Sequence, residues 1–372
     1  MEYYTAIGID VSDRTSKVCM MTKRDGKRRI VEETTVSTTK EGLSEYFRDK
    51  DRSIPVAFET GTHCRWMRRH IAGMGFRVYV ANPAKLPTIT KSNTKNDRND
   101  SRELARLLLA DPELLHPVCL RDEEYQRMMR LVKVRDGFKA MRTKATNMAK
   151  GYAKAMGECL GDFSPEKMPE LNRSEWSPEL ESLLFPVIDV VETLNEKIKA
   201  VEAQIRALSQ TEPFKEKVER VKEVYGVGDI IAPAFVACIG GDTSKFDKAR
   251  DVGAYLGFTP RQDQSGEIDR QLHATKAGDK LMRRLLVEGA NVIMKEGSKD
   301  TDLKLKGMRI RSRGGKIAKG KSKVAVARAL AVTMTALLMH PERDYVALSE
   351  GAKAELEMLR REEARREMKK IS

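Results

Sequence analysis

Four carboxylates in the first hundred residues stand where a site for a hard cation could form. Asp10 ends the segment Ile7-Gly8-Ile9-Asp10, and Glu59 ends Val56-Ala57-Phe58-Glu59. Asp97 and Asp100 open the polar stretch Asp97-Arg98-Asn99-Asp100, and their i,i+3 spacing puts both on one face of a helix start. An acid that closes an apolar strand is costly to bury by itself. Four converging acids repel one another unless cations neutralise them, and two magnesium ions held by oxygen ligands can stabilise the attacking and leaving oxygens of a phosphodiester. Manganese is the second candidate. Two of the acids also have plainer roles, Asp10 as a turn or cap residue and Asp97 as the cap of the helix that Asp100 begins, whereas Glu59 is harder to explain that way.

A second polar constellation lies far along the chain. Ser265, in Arg261-Gln262-Asp263-Gln264-Ser265-Gly266, reads as part of a polar loop, where a serine is ordinarily a turn former. No Gly-x-Ser-x-Gly elbow or Ser-x-x-Lys pair accompanies it. The helix entrance that follows carries Lys276, Lys280, Arg283 and Arg284. Between Lys304 and His340 there are ten Lys and Arg residues and no acid, and Arg309, Arg311, Arg313 and Lys316, around Gly314-Gly315, are the expected phosphate contacts.

Composition points the same way. Over 372 residues, 69 Lys and Arg against 55 Asp and Glu leave a net charge of +14, which favours a polyanionic partner. The five cysteines are far apart, with no CxxC and no HExxH, which argues against zinc and disulfides and leaves the thiols reduced and buried. No apolar run approaches the roughly 18 residues that span a bilayer, and the N-terminus lacks the regions of a signal peptide. A cytoplasmic, nucleoid-associated protein without a membrane partner is expected.

The elements that must position these residues are legible as patterns. Strands are expected at Tyr3 to Val11, Ser16 to Thr22, Arg29 to Val36, Pro55 to Phe58 and Arg77 to Val80, with helices at Lys40 to Arg48 and His63 to Met74. Three early strands followed by alternating helix and strand is the order of an RNase-H-like α/β domain. A long basic helix is expected from Asp122 to Met156, and a second opens at Ser177-Pro178-Glu179. In the second helix Val187, Val191, Leu194, Ile198, Val201, Ile205 and Leu208 form a heptad stripe, which suits pairing within one chain or between chains equally. Tyr225-Gly226-Val227-Gly228 precedes an apolar helix, a weak signal for phosphate binding by backbone N–H groups. The fold class is therefore α/β plus α. Residues 1–118 form the metal domain, 119–215 a long-helix coiled-coil connector, 216–345 a small, mostly helical C-terminal domain and 346–372 a peripheral charged tail.

The ordered set GID, FE, KNDRND, a helical connector, YGVG, YLGFTPRQ with SG, TKAGDKLMRRLL and a basic segment leading to VAVARALA resembles the DEDD insertion-sequence transposases of family one hundred and ten, which include pilin-gene invertases. The resemblance covers about Ile7 to Tyr345. It implies that Asp10, Glu59, Asp97 and Asp100 are the metal ligands of a RuvC-like domain and that Ser265 is the nucleophile of the C-terminal transposase domain. It further implies donor and target DNA as partners and a structured noncoding guide RNA, and the heptad stripe adds the expectation of a homodimer or homotetramer. Two positions depart from the family pattern, Glu267 after Ser-Gly and Asp279 after Gly278. A RuvC-like nuclease in which water attacks, or a non-catalytic nucleic-acid scaffold, are the alternative readings.

Overall fold

Thr5–Asp10 (β1) has Ala6, Ile7 and Ile9 fully buried, so both of its faces are covered and it must lie inside a sheet. Thr15–Arg24 (β2) and Lys27–Ser37 (β3) continue from it as an antiparallel meander. The turn between them is Asp25-Gly26, with φ of 51° and 72°, the left-handed pair that a tight hairpin requires. Val56–Glu59 (β4) and Val78–Ala81 (β5) then add in parallel, giving the order β3-β2-β1-β4-β5. The computed structural model describes residues 4–86, 97–118, 120–265, 268–315 and 317–371.

Alternation along the strands splits this first unit, Met1–Leu120, into two cores. Ile7, Ile9, Val56 and Phe58 face Lys40–Phe47 (α1) and Cys64–Gly73 (α2), meeting Leu43, Phe47, Met67 and Ile71. On the opposite face Ala6, Ala57 and Ala81 meet Leu104, Ala105 and Leu108 of Asp97–Ala110 (α3). That second face is built of small residues, so α3 lies close to it. A Cβ on Gly8 would stand 2.1 Å from the Ser101 carbonyl oxygen and 2.6 Å from the Ala105 nitrogen, and only glycine fits there.

The second unit, Arg121–Ser372, begins with an antiparallel pair of long helices, Glu123–Ala155 (α4) and Pro178–Ser209 (α5). The α5 start is the expected one, with the Ser177 side chain accepting from Leu180 N at 3.1 Å. Arg135 donates to Glu202 at 2.6 Å and Arg142 to Asn195 at 2.7 Å, cross-linking the pair. Val191, Ile198, Val201, Ile205 and Leu208 are buried within this chain, so α4 and the helical core already fill the seam. Of the two pairings that the stripe suits, the one within the chain is present, because α4 returns along the same seam. Ile198→Asp should lower stability by more than about 3 kcal/mol, since it strands a charge inside the hairpin. Thermal melting and light scattering check this; a mass change without loss of stability would place the seam between chains.

The residues assigned to connector and C-terminal domain share one core. Met128, Met129 and Val132 of α4 pack with Lys215–Lys222 (α6), Ile231–Cys238 (α7), Val252–Tyr255 (α8), Lys280–Ile293 (α9), Asp302–Arg311 (α10) and Ala318–Met339 (α11). Among the described residues α11 is the one helix long and apolar enough to cross a membrane, contrary to the expectation of no such run. Val326, Ala327, Leu330, Ala331 and Met334 nevertheless sit in the core. The tail Ala352–Ile371 (α12) is not peripheral, because Leu356 is fully buried and Leu359 nearly so. Cys159 is exposed, whereas burial pushes the Cys19 and Cys238 thiols up to about 11.

Candidate functional site

The sheet register brings two of the four carboxylates together. β1 and β4 run parallel with Ile9 opposite Phe58, so the next residues along, Asp10 and Glu59, sit side by side where both strands end. Neighbouring strands are about 4.8 Å apart. Asp10 alternates with Ile9 and Glu59 with Phe58, so both acids lie on the α3 face, the face of Gly8 and Ala57. Asp100 precedes Ser101, whose carbonyl rests on Gly8, and Gly8 is about 7 Å from Asp10 along the strand. Asp10, Glu59 and Asp100 are half-buried, and Glu59 Oε1 is fully buried.

Asp97 opens α3, and its side chain lies outside the described residues. Among those that are described, no group of three or more acidic, His or Cys side chains is close enough to chelate a cation. What converges is the backbone framework. The donors available there are carboxylate oxygens, which fit magnesium or manganese and not a thiolate-seeking metal.

A neighbouring pair was not anticipated from the sequence. Asp13 follows Asp10 out of β1, His63 follows Glu59 out of β4, and His63 Nε2 lies 3.1 Å from Asp13 Oδ1. The Trp66 indole donates to His63 Nδ1 at 3.1 Å. An indole N–H can only donate, so Nδ1 accepts and Nε2 carries the proton that points at Asp13. The link ties the loops leaving the two central strands at the end where the carboxylates lie. Its sequence signal is thin: a His four residues after a strand-ending acid.

The C-terminal constellation takes an unexpected form. Ser265 ends a strand, Pro260–Ser265 (β6), paired with Ile268–Ala274 (β7), so it stands at the tip of an antiparallel hairpin and not in a loop. Pro260–Ser265 is polar on both faces, which hides the period-2 pattern of a strand in its sequence. Gly266, Glu267 and the Ser265 side chain lie outside the described residues. Lys276 (φ 56°) and Lys280 are exposed at the entrance of α9. Arg283 faces inward instead: its Nη1 donates to Leu256 O at 3.0 Å and Gly278 O at 2.6 Å. Arg284 pairs with Asp136. Arg309 is held in a two-pronged pair by Glu355 at 2.6 Å for each bond. Arg311 is half-buried, Arg313 is exposed and Lys316 lies outside the described residues. Lys304, at the start of the acid-free run, is buried with Nζ donating to Ser298.

Comparison with known proteins places this chain. A DEDD transposase model of IS110 elements matches residues 7–155, and a model described as transposase IS116/IS110/IS902 family matches residues 218–302. The transposase for insertion sequence element IS1111A of Coxiella burnetii is 29% identical over 245 residues, 64% of this chain and 65% of that protein. The transposase for insertion sequence element IS1328 of Yersinia enterocolitica is 30% identical over 246 residues, covering 64% of this chain and 70% of its own length. The chain belongs to the IS110 family of transposases.

The IS110 segments divide along the geometry above. The first holds Asp10, Glu59, Asp97 and Asp100, and the second holds Ser265 and the α9 entrance. Several motif residues in the second IS110 segment are explained by packing. A Cβ on Gly278 would meet Tyr255 O at 2.4 Å, and one on Gly257 would meet Ala277 N at 2.6 Å. Gly226 (φ 90°) touches α9, where an added Cβ would lie 2.7 Å from Ile293 Cγ1. Asp279 caps α9 by accepting from Met282 N at 3.0 Å, a task that an asparagine performs equally well, so this departure from the IS110 pattern keeps the cap.

Proposed function

We propose that this protein is a DNA recombinase that cuts and rejoins strands through a covalent phosphoserine at Ser265, with magnesium held by Asp10, Glu59, Asp97 and Asp100. The observation that carries the reading is the meeting of Asp10 and Glu59 at the ends of two adjacent parallel strands, on the face that α3 covers. The order β3-β2-β1-β4-β5, with β1 parallel to β4, supports an RNase-H-like, RuvC-like domain. The family membership supports DNA as substrate, and the net charge of +14 supports a nucleic-acid partner. Donor and target DNA, a structured guide RNA and a homo-oligomer complete the proposal.

In this reading the Ser265 hydroxyl attacks a DNA phosphorus. The Oγ–P bond forms, the P–O bond to the adjoining nucleotide breaks, and that nucleotide leaves with the proton as a free hydroxyl. Because bond energy stays in the phosphoserine, the reverse attack reseals a strand without an external energy source. Bound magnesium would supply Lewis-acid charge to the phosphodiester. Lys276 and Lys280, exposed where the α9 entrance begins, would hold phosphates, and their field would be strongest at low salt.

The test is chelation. Cleavage of DNA carrying the element ends should vanish in EDTA and return on adding magnesium, while DNA binding measured at the same ionic strength persists. Binding with no cleavage under any divalent cation would favour a scaffold. A guide requirement is read in the same assay, since ribonuclease treatment should abolish target cutting.

A further inference from the structure

The second unit contains a groove of about 1140 Å³ that no part of the proposed chemistry uses. It exceeds the usual size of a small-molecule pocket and is partly open to solvent, so a segment of a larger ligand fits it better than a compact molecule. Its cations come from three separate elements: Arg250, Lys306 of α10, and Lys321 and Arg328 of α11; His273, at the end of β7, also lines it. Arg328 has a built seat, because a Cβ on Gly253 would lie 2.8 Å from its Nε. Asp302, the acid in the described lining, is engaged: its Oδ1 accepts from Ser349 N at 3.1 Å and Ser349 Oγ at 2.9 Å. The groove is therefore a cationic trough.

It also has an apolar wall. Ile317, just before α11, is 64% exposed and Val324, in the first turns of α11 near Lys321, is 40% exposed. A duplex turns its bases inward and offers phosphates, which have no use for such a wall. A single strand presents phosphates to cations and base faces to apolar side chains at once. His273 and Ala274 mark the open end of the β6–β7 hairpin, Pro260 being opposite Ala274, and Ser265 stands about 17 Å away at the tip.

We infer that this trough binds a single DNA strand, the stretch next to the phosphate that Ser265 attacks. The inference rests on the recombinase reading, which makes DNA the strand that reaches the hairpin. Lys306 and Lys321 hold its phosphates, Arg328 adds a fixed charge, and Ile317 and Val324 shield its unstacked bases. Arg309, one of the expected phosphate contacts, has its charged end occupied by Glu355 instead.

The experiment measures affinity of the full chain for a fluorescent oligodeoxythymidine, an equally long oligouridine and a mixed-sequence duplex across a salt series. Lys306→Ala with Lys321→Ala should flatten the salt slope for oligodeoxythymidine by about 1.4, at roughly 0.7 per phosphate contact on a single strand. Ile317→Asp should weaken oligodeoxythymidine about tenfold and leave the duplex within twofold, with thermal melting confirming the fold of each variant. An unchanged slope overturns the groove, and so does an equal loss on duplex and single strand. Tighter binding of oligouridine than oligodeoxythymidine, lost in the same variants, overturns the choice of DNA. If the wild type cleaves element-end DNA while the slope stays put, the groove fails and the recombinase reading stands. A wild type that binds none of the probes fails both.

Discussion

Asp10→Ala or Glu59→Ala should reduce DNA strand cleavage by more than a hundredfold and leave the protein folded. The two carboxylates stand at the ends of neighbouring parallel strands, so each is a direct candidate ligand. Substituting even the residues that merely orient metal ligands costs about 10- to 100-fold, and loss of a ligand costs at least that. Without metal the variants should melt close to the wild-type temperature, because neither side chain belongs to either apolar core of the unit. Cleavage kinetics and metal-free melting curves measure the two effects. Near-normal cleavage in either variant would exclude this end of the sheet as the site.

Gly8→Val should produce the second large effect, without touching any acidic residue. An added Cβ meets Ser101 O and Ala105 N, both backbone atoms of α3, so no side chain can swing aside and the helix must move. Overpacking of this kind costs about 1–3 kcal/mol, roughly 10 °C in melting temperature for a unit this small. Because α3 carries Asp97 and Asp100, its displacement should also lower cleavage at least tenfold, a 1 Å misplacement being enough for about 100-fold. Gly73→Ala is the control, since nothing lies within 4 Å of a Cβ there. If Gly8→Val melted and cut like the control, α3 would not be what positions the site.

Much of the first unit is legible in the sequence because β1, β4 and β5 are short apolar runs and a clear turn signal divides β2 from β3. Expected strands at Ser16 to Thr22 and Arg29 to Val36 are found as Thr15–Arg24 and Lys27–Ser37; the Asp25-Gly26 turn sets the register next to it, and an irregularity at Met20 and Met21 shifts it farther along. Glu59 stands out because an acid ends a strand whose other members are fully buried. What the sequence hides is long-range. Arg309 and Glu355 are 46 residues apart and Arg284 and Asp136 are 148 apart, so local patterning cannot reveal that these cations are already paired. A charge run also says nothing of which charges face outward: Lys304 turns into the fold, whereas Lys306, two residues on, lines the groove. The β6–β7 hairpin was missed for the opposite reason, since a strand polar on both faces leaves no periodic trace.

The most direct test of the whole account is to trap the protein on DNA containing its element ends, digest the complex and map the residue that carries the nucleotide. The account predicts a phosphodiester bond to Ser265 in the wild type and none in Ser265→Ala, with DNA binding by that variant unchanged. It is contradicted if Ser265→Ala still cleaves while Asp10 and Glu59 are intact, because the nucleophile would then be water and the protein a metal-dependent nuclease.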